Sequence, residues 1–245
     1  MVDTAVILAA GLGSRLKEHN QAKPKGFLEI NGVPIIERSI KILKKNGIET
    51  IVIGTGFKSE FYEALADRFS HIVCVKNSEF AETGSFYTLY NLRTAVRGDF
   101  LLLESDLYYE ERSIRVLQGL AKSDVILASG RTNSGDEVYI QTDDRNRLVT
   151  MSKKAEELGR ISAELVGISR ISKSLFDRIC DWAGHNDIKK REYESVLVEM
   201  AGVQPIHVEK VEDLLWAEID NLDHLERTVK LILPRIAEKE HERTD

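Results

Sequence analysis

Short, largely apolar runs recur along the chain with helix-patterned stretches between them, and this alternation leaves few folds open. Thr4–Ala9, Thr50–Gly54, Ile72–Val75, Phe100–Glu104 and Asp124–Ser129 read as strands buried on both faces. Phe27–Ile30, Val138–Gln141, Leu148–Met151, Leu165–Ser169, His207–Glu209 and Leu215–Ile219 read as further strands. Helical spacing fits Ile35–Asn46, Glu60–Phe69, Ser85–Arg97, Glu110–Lys122, Lys173–Gly184, Glu192–Ala201 and Leu222–Lys239, the first ending on Lys44-Lys45 before Gly47. Buried strands alternating with helices predict an α/β fold around a mostly parallel, doubly wound (Rossmann-like) sheet. The strand-rich stretch from Val138 to Ser169 is expected as a small antiparallel flap on its edge. With 245 residues and no internal repeat or linker, the expectation is one domain over residues 1–237 and a charged tail over 238–245.

Charge removes several function classes. Acids outnumber bases by 40 to 34, a formal net charge of -6, whereas a nucleic-acid binder usually carries a basic excess. No apolar run reaches membrane-spanning length, so no membrane partner is expected. Cys74 and Cys180 lie far apart without a C-x-x-C pair, and the six histidines are dispersed. These residues suggest neither a disulfide framework nor a zinc site, and a reducing, cytoplasmic setting is expected. A homodimer, or a domain fused beyond the charged tail, is compatible with the sequence.

The first strand breaks into Ala9-Ala10-Gly11-Leu12-Gly13-Ser14-Arg15-Leu16. Two glycines there let backbone N–H groups approach a phosphate. The loop lacks the Gly-Lys-Ser/Thr ending of a Walker loop. Leu16 stands where a dinucleotide fingerprint needs its third glycine, and Pro24 interrupts the next segment, which disfavours a nicotinamide dehydrogenase. Arg15, Lys25 and an Asn31-Gly32 hairpin turn come next in the chain. A glycine loop with two cations suits a polyphosphate.

Two acids stand where strands end. Glu104-Ser105-Asp106 closes Phe100–Leu103, at the carboxyl end of a strand where α/β sheets place their ligands. An aspartate there is well placed to hold Mg²⁺ against phosphate oxygens. Trp216-Ala217-Glu218-Ile219-Asp220 repeats the pattern, although Asp220 would serve equally as the N-cap of a helix beginning at Leu222, or lie just before a cap at Asn221. Ser85 and Thr83 stand where a helix cap is expected, and Tyr108, Tyr109, Tyr193 and Trp216 are core or rim residues by default.

The series Leu8-Ala9-Ala10-Gly11-x-Gly13-Ser14-Arg15-Leu16 followed by Pro24-Lys25, with Ile30–Ile36 after it, resembles the signature of the sugar-nucleotide-type nucleotidyltransferases. Within that family the chain is most similar to the small cytidylyltransferases acting on phosphocholine or 2-aminoethylphosphonate. The resemblance implies the nucleotidyltransferase type of sheet and Mg²⁺ held between Asp106 and Asp220, with Glu218 as a helper. It implies a triphosphate on Arg15 and Lys25, and nucleotide contacts from Leu8, Ala9, Ala10, Gly11, Gly13, Ser14, Gly84, Ser85 and Ser105. A lysine reaching the second substrate's phosphate falls at Lys153 or Lys154, with Lys153 preferred. At the amine end of the acceptor, Tyr108, Tyr193 and Trp216 near these motifs permit an aromatic cage, and Glu82 and Glu194 permit an acidic pocket. Glu82-Thr83-Gly84-Ser85 resembles the aminoethylphosphonate enzymes, whereas the phosphocholine type tends to carry an asparagine pair there. The expected reaction is CTP plus 2-aminoethylphosphonate giving CMP-2-aminoethylphosphonate and pyrophosphate. The rivals are phosphocholine as acceptor, a sugar-1-phosphate enzyme using UTP or dTTP, and a binding module without turnover. Retention of Arg15, Lys25, Asp106 and Asp220 together argues against the last.

Overall fold

Alternate side chains of the first strand, β1 (Thr4–Ala9), enter two different cores: Val6 and Leu8 one, Ala5 and Ile7 the other. This is the residue-level form of a sheet covered on both faces, and it explains why the strand reads as an unbroken apolar run. The computed structural model describes residues 1–13 and 23–241. After β1 come a small hairpin, β2 (Glu29–Ile30) and β3 (Val33–Pro34), then β4 (Thr50–Thr55), β5 (Ile72–Lys76) and β6 (Phe100–Glu104). β1 pairs in parallel with β4 and β6, and β4 with β5. Next are β7 (Leu107–Tyr109), β8 (Val125–Ser129), β9 (Tyr139–Thr142), β10 (Leu148–Ser152), β11 (Ala163–Ile171), β12 (His207–Val211) and β13 (Trp216–Glu218).

The helices divide between the faces. α1 (Ile35–Lys45), α2 (Ser59–Glu63) and α4 (Arg112–Gly119) cover one core with Ile36, Ile40, Leu43, Tyr62, Ile114 and Leu117. α3 (Ser85–Asn91), α5 (Lys173–Ala183) and α6 (Tyr193–Ala201) cover the other with Phe86, Leu89, Phe176, Ile179, Val196 and Met200. α7 (Leu222–Arg227) continues through a π-helical turn, Thr228–Ile232, into α8 (Leu233–His241). The mostly parallel α/β fold is therefore as the alternation predicts. Among the described residues no helix is long and apolar enough to cross a membrane.

The antiparallel part differs in extent from the expectation. The hairpin β9–β10 is a flap, but β11 is not: it pairs antiparallel with β6 and with β8, deep inside the main sheet. Its first two residues alone pair with β9. β8 then pairs in parallel with β12. Phe27–Ile30 opens as a single 3-10 turn, Lys25–Phe27, before β2, and Glu110–Lys122 shortens to α4. The charged run from residue 238 enters the last turn of α8, where Lys239 pairs with Asp213 at 2.9 Å; residues 242–245 lie outside the described residues.

Candidate active site

A cavity of about 330 Å³ opens where β1, β6 and the start of α3 meet. Its wall includes the backbone run Leu8, Ala9, Ala10, Gly11 and Gly13, together with Lys25, Gly84, Ser85, Ser105, Asp106, Lys153, Glu194, Trp216 and Glu218. Ser14 and Arg15 lie outside the described residues. Ser105 is tied to the glycine-loop strand by its own N–H, which donates to the Leu8 carbonyl at 3.1 Å.

The two distant acidic motifs are joined by a ladder. β13 runs antiparallel to β7, pairing Trp216 with Tyr109, Ala217 with Tyr108 and Glu218 with Leu107, and the Ile219 N–H donates to the Asp106 carbonyl at 3.1 Å. Strand alternation sends Trp216 and Glu218 to the cavity and Ala217 and Ile219 to a third apolar cluster. Tyr108 pairs with Ala217 and faces that same cluster, under the Arg38 guanidinium at 4.2 Å from its ring centroid. The expectation that Tyr108 meets substrate is thus corrected: it is a core residue on the far face of the ladder. Glu82 is exposed and absent from the cavity wall.

Lys25 sits between the aspartates. Its Nζ donates to Asp106 Oδ2 at 2.9 Å and to Asp220 Oδ1. Burial opposes its charge, but the facing carboxylates of Asp106 and Asp220 outweigh burial and hold its pKa above the ordinary lysine value. The N-cap of α7 is Asn221, whose side chain accepts from the His224 N–H at 2.9 Å, so Asp220 is not the cap. Lys153 Nζ reaches Asp136 at 2.9 Å on the cavity wall, while Lys154 pairs with Glu157.

Glu104 was no candidate in the sequence, yet it is the centre of the acidic wall. It accepts a 2.5 Å hydrogen bond from the Tyr193 hydroxyl. Room for it comes from Gly167, in β11, where φ is +80° and a Cβ would lie 3.1 Å from the Glu104 carboxyl carbon. Burial, then the charges of Glu218, Glu194 and Asp106, push the Glu104 carboxyl well above the ordinary range. Burial and the neighbouring Asp106 and Asp220 push Glu218 up to about 8, and burial pushes Glu194 up to about 7. Glu194 Oε2 is buried with no hydrogen-bond partner among the described residues. A repeated spacing was the available signal, since Glu104 stands two residues before Asp106 just as Glu218 stands before Asp220.

This donor set suits a hard divalent cation. Glu104, Asp106 and Glu218 each offer an oxygen within 4.8 Å of the others, and Asp106 and Asp220 already share one cation, the Lys25 ammonium. Carboxylate oxygens alone, without histidine or thiolate, select Mg²⁺-like ions over softer metals. The thiols are elsewhere: both are pushed up to about 11, chiefly by burial, and neither is poised as a nucleophile.

The start of α3 is built against the segment before α6. The Gly84 N–H donates to the Lys189 carbonyl at 2.7 Å, and a Cβ at Gly84 would lie 2.2 Å from the Arg191 carbonyl oxygen. Only glycine permits that approach. Ser85, expected as an N-cap, is instead the first residue of α3, with Gly84 as the cap residue.

A model of the MobA-like NTP transferase domain matches residues 5–184. The 2-aminoethylphosphonate cytidylyltransferase of Lancefieldella rimae is 25% identical over 232 residues, 90% of this chain and 92% of that protein. The choline-phosphate cytidylyltransferase of Streptococcus pneumoniae is 32% identical over 111 residues, 45% of this chain and 48% of that protein, so this match spans about half of each. Among solved structures, the inositol-1-phosphate CTP transferase from T. maritima superposes with a TM-score of 0.83 at 18% identity, covering 96% of both chains.

Proposed function

The chain belongs to the MobA-like NTP transferase family, and on that premise we propose that it is a Mg²⁺-dependent cytidylyltransferase that joins CTP to 2-aminoethylphosphonate. One observation carries the acceptor: the cavity that holds Lys25 and Lys153 also holds Glu104, Glu194 and Glu218, with Glu194 Oε2 buried and without a hydrogen-bond partner among the described residues. An acceptor with an anion at one end and a primary ammonium at the other answers both sets. A primary ammonium brings three N–H donors to an acceptor atom that has none, whereas a quaternary ammonium brings no donor at all.

The phosphonate oxygen is largely ionised at neutral pH, with a second pKa near ~6, so attack requires no general base. The oxygen forms a bond to the α-phosphorus as the α–β bridge breaks, and pyrophosphate leaves with the bonding pair. No proton need move. What the protein must supply is alignment of two anions and relief of their repulsion. The N–H groups of Gly11 and Gly13 and the cations Arg15 and Lys25 hold the triphosphate. Lys153 holds the acceptor's phosphonate, and the Tyr193–Glu104 pair with Glu194 orients its amine. A magnesium ion bound by Asp106 and Asp220 would supply further charge neutralisation at the reacting phosphates.

The aromatic walls of Trp216 and Tyr193 beside the same acids support a second reading, phosphocholine as acceptor. The test is a pyrophosphate-release panel crossing CTP, UTP and dTTP with 2-aminoethylphosphonate, phosphocholine and a hexose-1-phosphate. Selective turnover of CTP with 2-aminoethylphosphonate is expected. Turnover of phosphocholine alone would exchange the acceptor, and turnover confined to a hexose-1-phosphate would remove the cytidylyltransferase reading.

A further inference from the structure

We propose that Lys25 is the resident counter-ion of the metal site, and that metal and triphosphate binding are coupled through its departure from Asp106 and Asp220. The inference rests on the metal-dependent reading of the site and concerns its control.

Three side chains make the arrangement. The Lys25 side chain is 19% exposed, that of Asp106 13% and that of Asp220 5%, and the single ammonium bridges both carboxylates. Two carboxylates so enclosed repel one another, and leaving either without a cation is costly. Lys25 offsets part of that cost while the site waits. The same two carboxylates would hold the metal on that reading, and a divalent ion between them would face the Lys25 ammonium at short range with like charge. Metal binding in the absence of nucleotide would therefore compete with both ion pairs of Lys25.

The neighbouring backbone shows where that lysine goes. Lys25 begins a pinned turn, in which the Phe27 N–H donates to the Pro24 carbonyl and the Leu28 N–H to the Lys25 carbonyl, each at 2.9 Å. The main chain is fixed and the side chain is the movable part. Its stem runs beside Gly13, where φ is +60° and a Cβ would lie 3.0 Å from Lys25 Cγ. Rotation of the stem moves the ammonium from the aspartates to the glycine loop, the place offered to the triphosphate. A bound triphosphate gives the displaced ammonium a new anion, so each ligand favours the other by the same factor. Chelation of the ion by phosphate adds to this coupling but does not replace it.

The decisive measurement is Mn²⁺ binding to nucleotide-free protein, monitored by electron paramagnetic resonance, for wild type, Lys25→Met and Lys25→Arg. Lys25→Met should bind Mn²⁺ at least ~10-fold more tightly than wild type, within the usual range of site coupling, and Lys25→Arg should stay near wild type. Mn²⁺ should also raise the melting temperature of Lys25→Met more than that of wild type. If Lys25→Met folds only when Mn²⁺ is present, that rescue has the same meaning. Equal or weaker Mn²⁺ binding by a folded Lys25→Met overturns the inference while leaving metal dependence intact, as does a Lys25→Met that Mn²⁺ does not rescue while wild type binds the ion. Absence of Mn²⁺ binding in both proteins overturns the inference and the metal reading together. None of these outcomes depends on which base or acceptor is used.

Discussion

Ser85 and Glu192 cap each other's helices. The Ser85 N–H and hydroxyl both donate to Glu192 Oε2, at 3.0 and 2.5 Å, and the same hydroxyl oxygen accepts from the Tyr193 N–H at 3.0 Å. α3 thus receives a carboxylate at its positive end, and α6 receives a serine oxygen at its own. The pair joins the stretch expected to meet the nucleotide, Gly84–Ser85, to the stretch that carries Tyr193 and Glu194. Four polar atoms thus join two halves of one cavity, beside the Gly84–Lys189 and Phe86–Arg191 backbone bonds.

Because both caps depend on one pair, their removal should not add. Ser85→Ala and Glu192→Ala should each cost about 0.5–2 kcal/mol, and the double variant little more than the worse single. Urea unfolding of the four proteins measures the coupling; simple additivity would show that the two helix ends are held independently.

Asp220→Asn should lower turnover by orders of magnitude with little effect on cap stability, because Asn221 is the cap. Asn221→Ala should cost about 1 kcal/mol and retain most turnover. Asp106→Asn should behave like Asp220→Asn, since both face the Lys25 ammonium. Kinetics and thermal melts on the three proteins separate the roles, and near-normal turnover in Asp106→Asn would take that residue out of the site.

How much the sequence made legible depends on the range of the interactions. β1, β4 and β6 bury both faces, so their apolar runs announce them without knowledge of any partner. β7 is three residues long and exists because β13, far away in the chain, pairs with it, so Leu107-Tyr108-Tyr109 gives no local sign of a strand. Without that strand, nothing told which face Tyr108 takes. Ser85 satisfies the local rule for a helix cap, but its partner Glu192 lies 107 residues on, and a distant carboxylate is invisible to a local rule. Glu104 hid for a different reason, since an acid at the end of an apolar strand reads as the point where burial stops. Its burial depends on Gly167 and Tyr193, contributed by β11 and α6.

Of the adjacent lysines, Lys153 lies on the cavity wall with Asp136 and Lys154 pairs with Glu157 outside it. Lys153→Ala should raise the KM for the acceptor at least ~10-fold while changing the KM for CTP little, as expected when one charge-assisted contact to a phosphonate is lost. Lys154→Ala should leave both unchanged. Initial rates at saturating CTP, with the acceptor varied, provide the comparison, and equal effects of the two substitutions would reject the assignment.

The acidic wall should leave its mark on stability. Glu194 sits at about 7 and Glu218 at about 8, both chiefly through burial, against 4.5 for an unperturbed glutamate. In the folded protein they keep protons that the unfolded chain has lost, so the native state binds more protons between about pH 4.5 and 8. Stability therefore falls as pH rises through that window and levels off above it. Glu194→Gln cannot ionise, so its contribution to the slope disappears. Melting temperatures of metal-free protein from pH 5 to 8.5 should decline for wild type and decline less for Glu194→Gln, with the two curves drawing apart from pH 5 to about pH 7. Glu104 and Tyr193, which feel the Glu194 charge, shift with it, and the titrating groups away from Glu194 are common to both proteins and cancel in the difference. Parallel curves would mean that Glu194 ionises as freely as a glutamate in water, and its place as the buried acceptor for a primary amine would be lost with it.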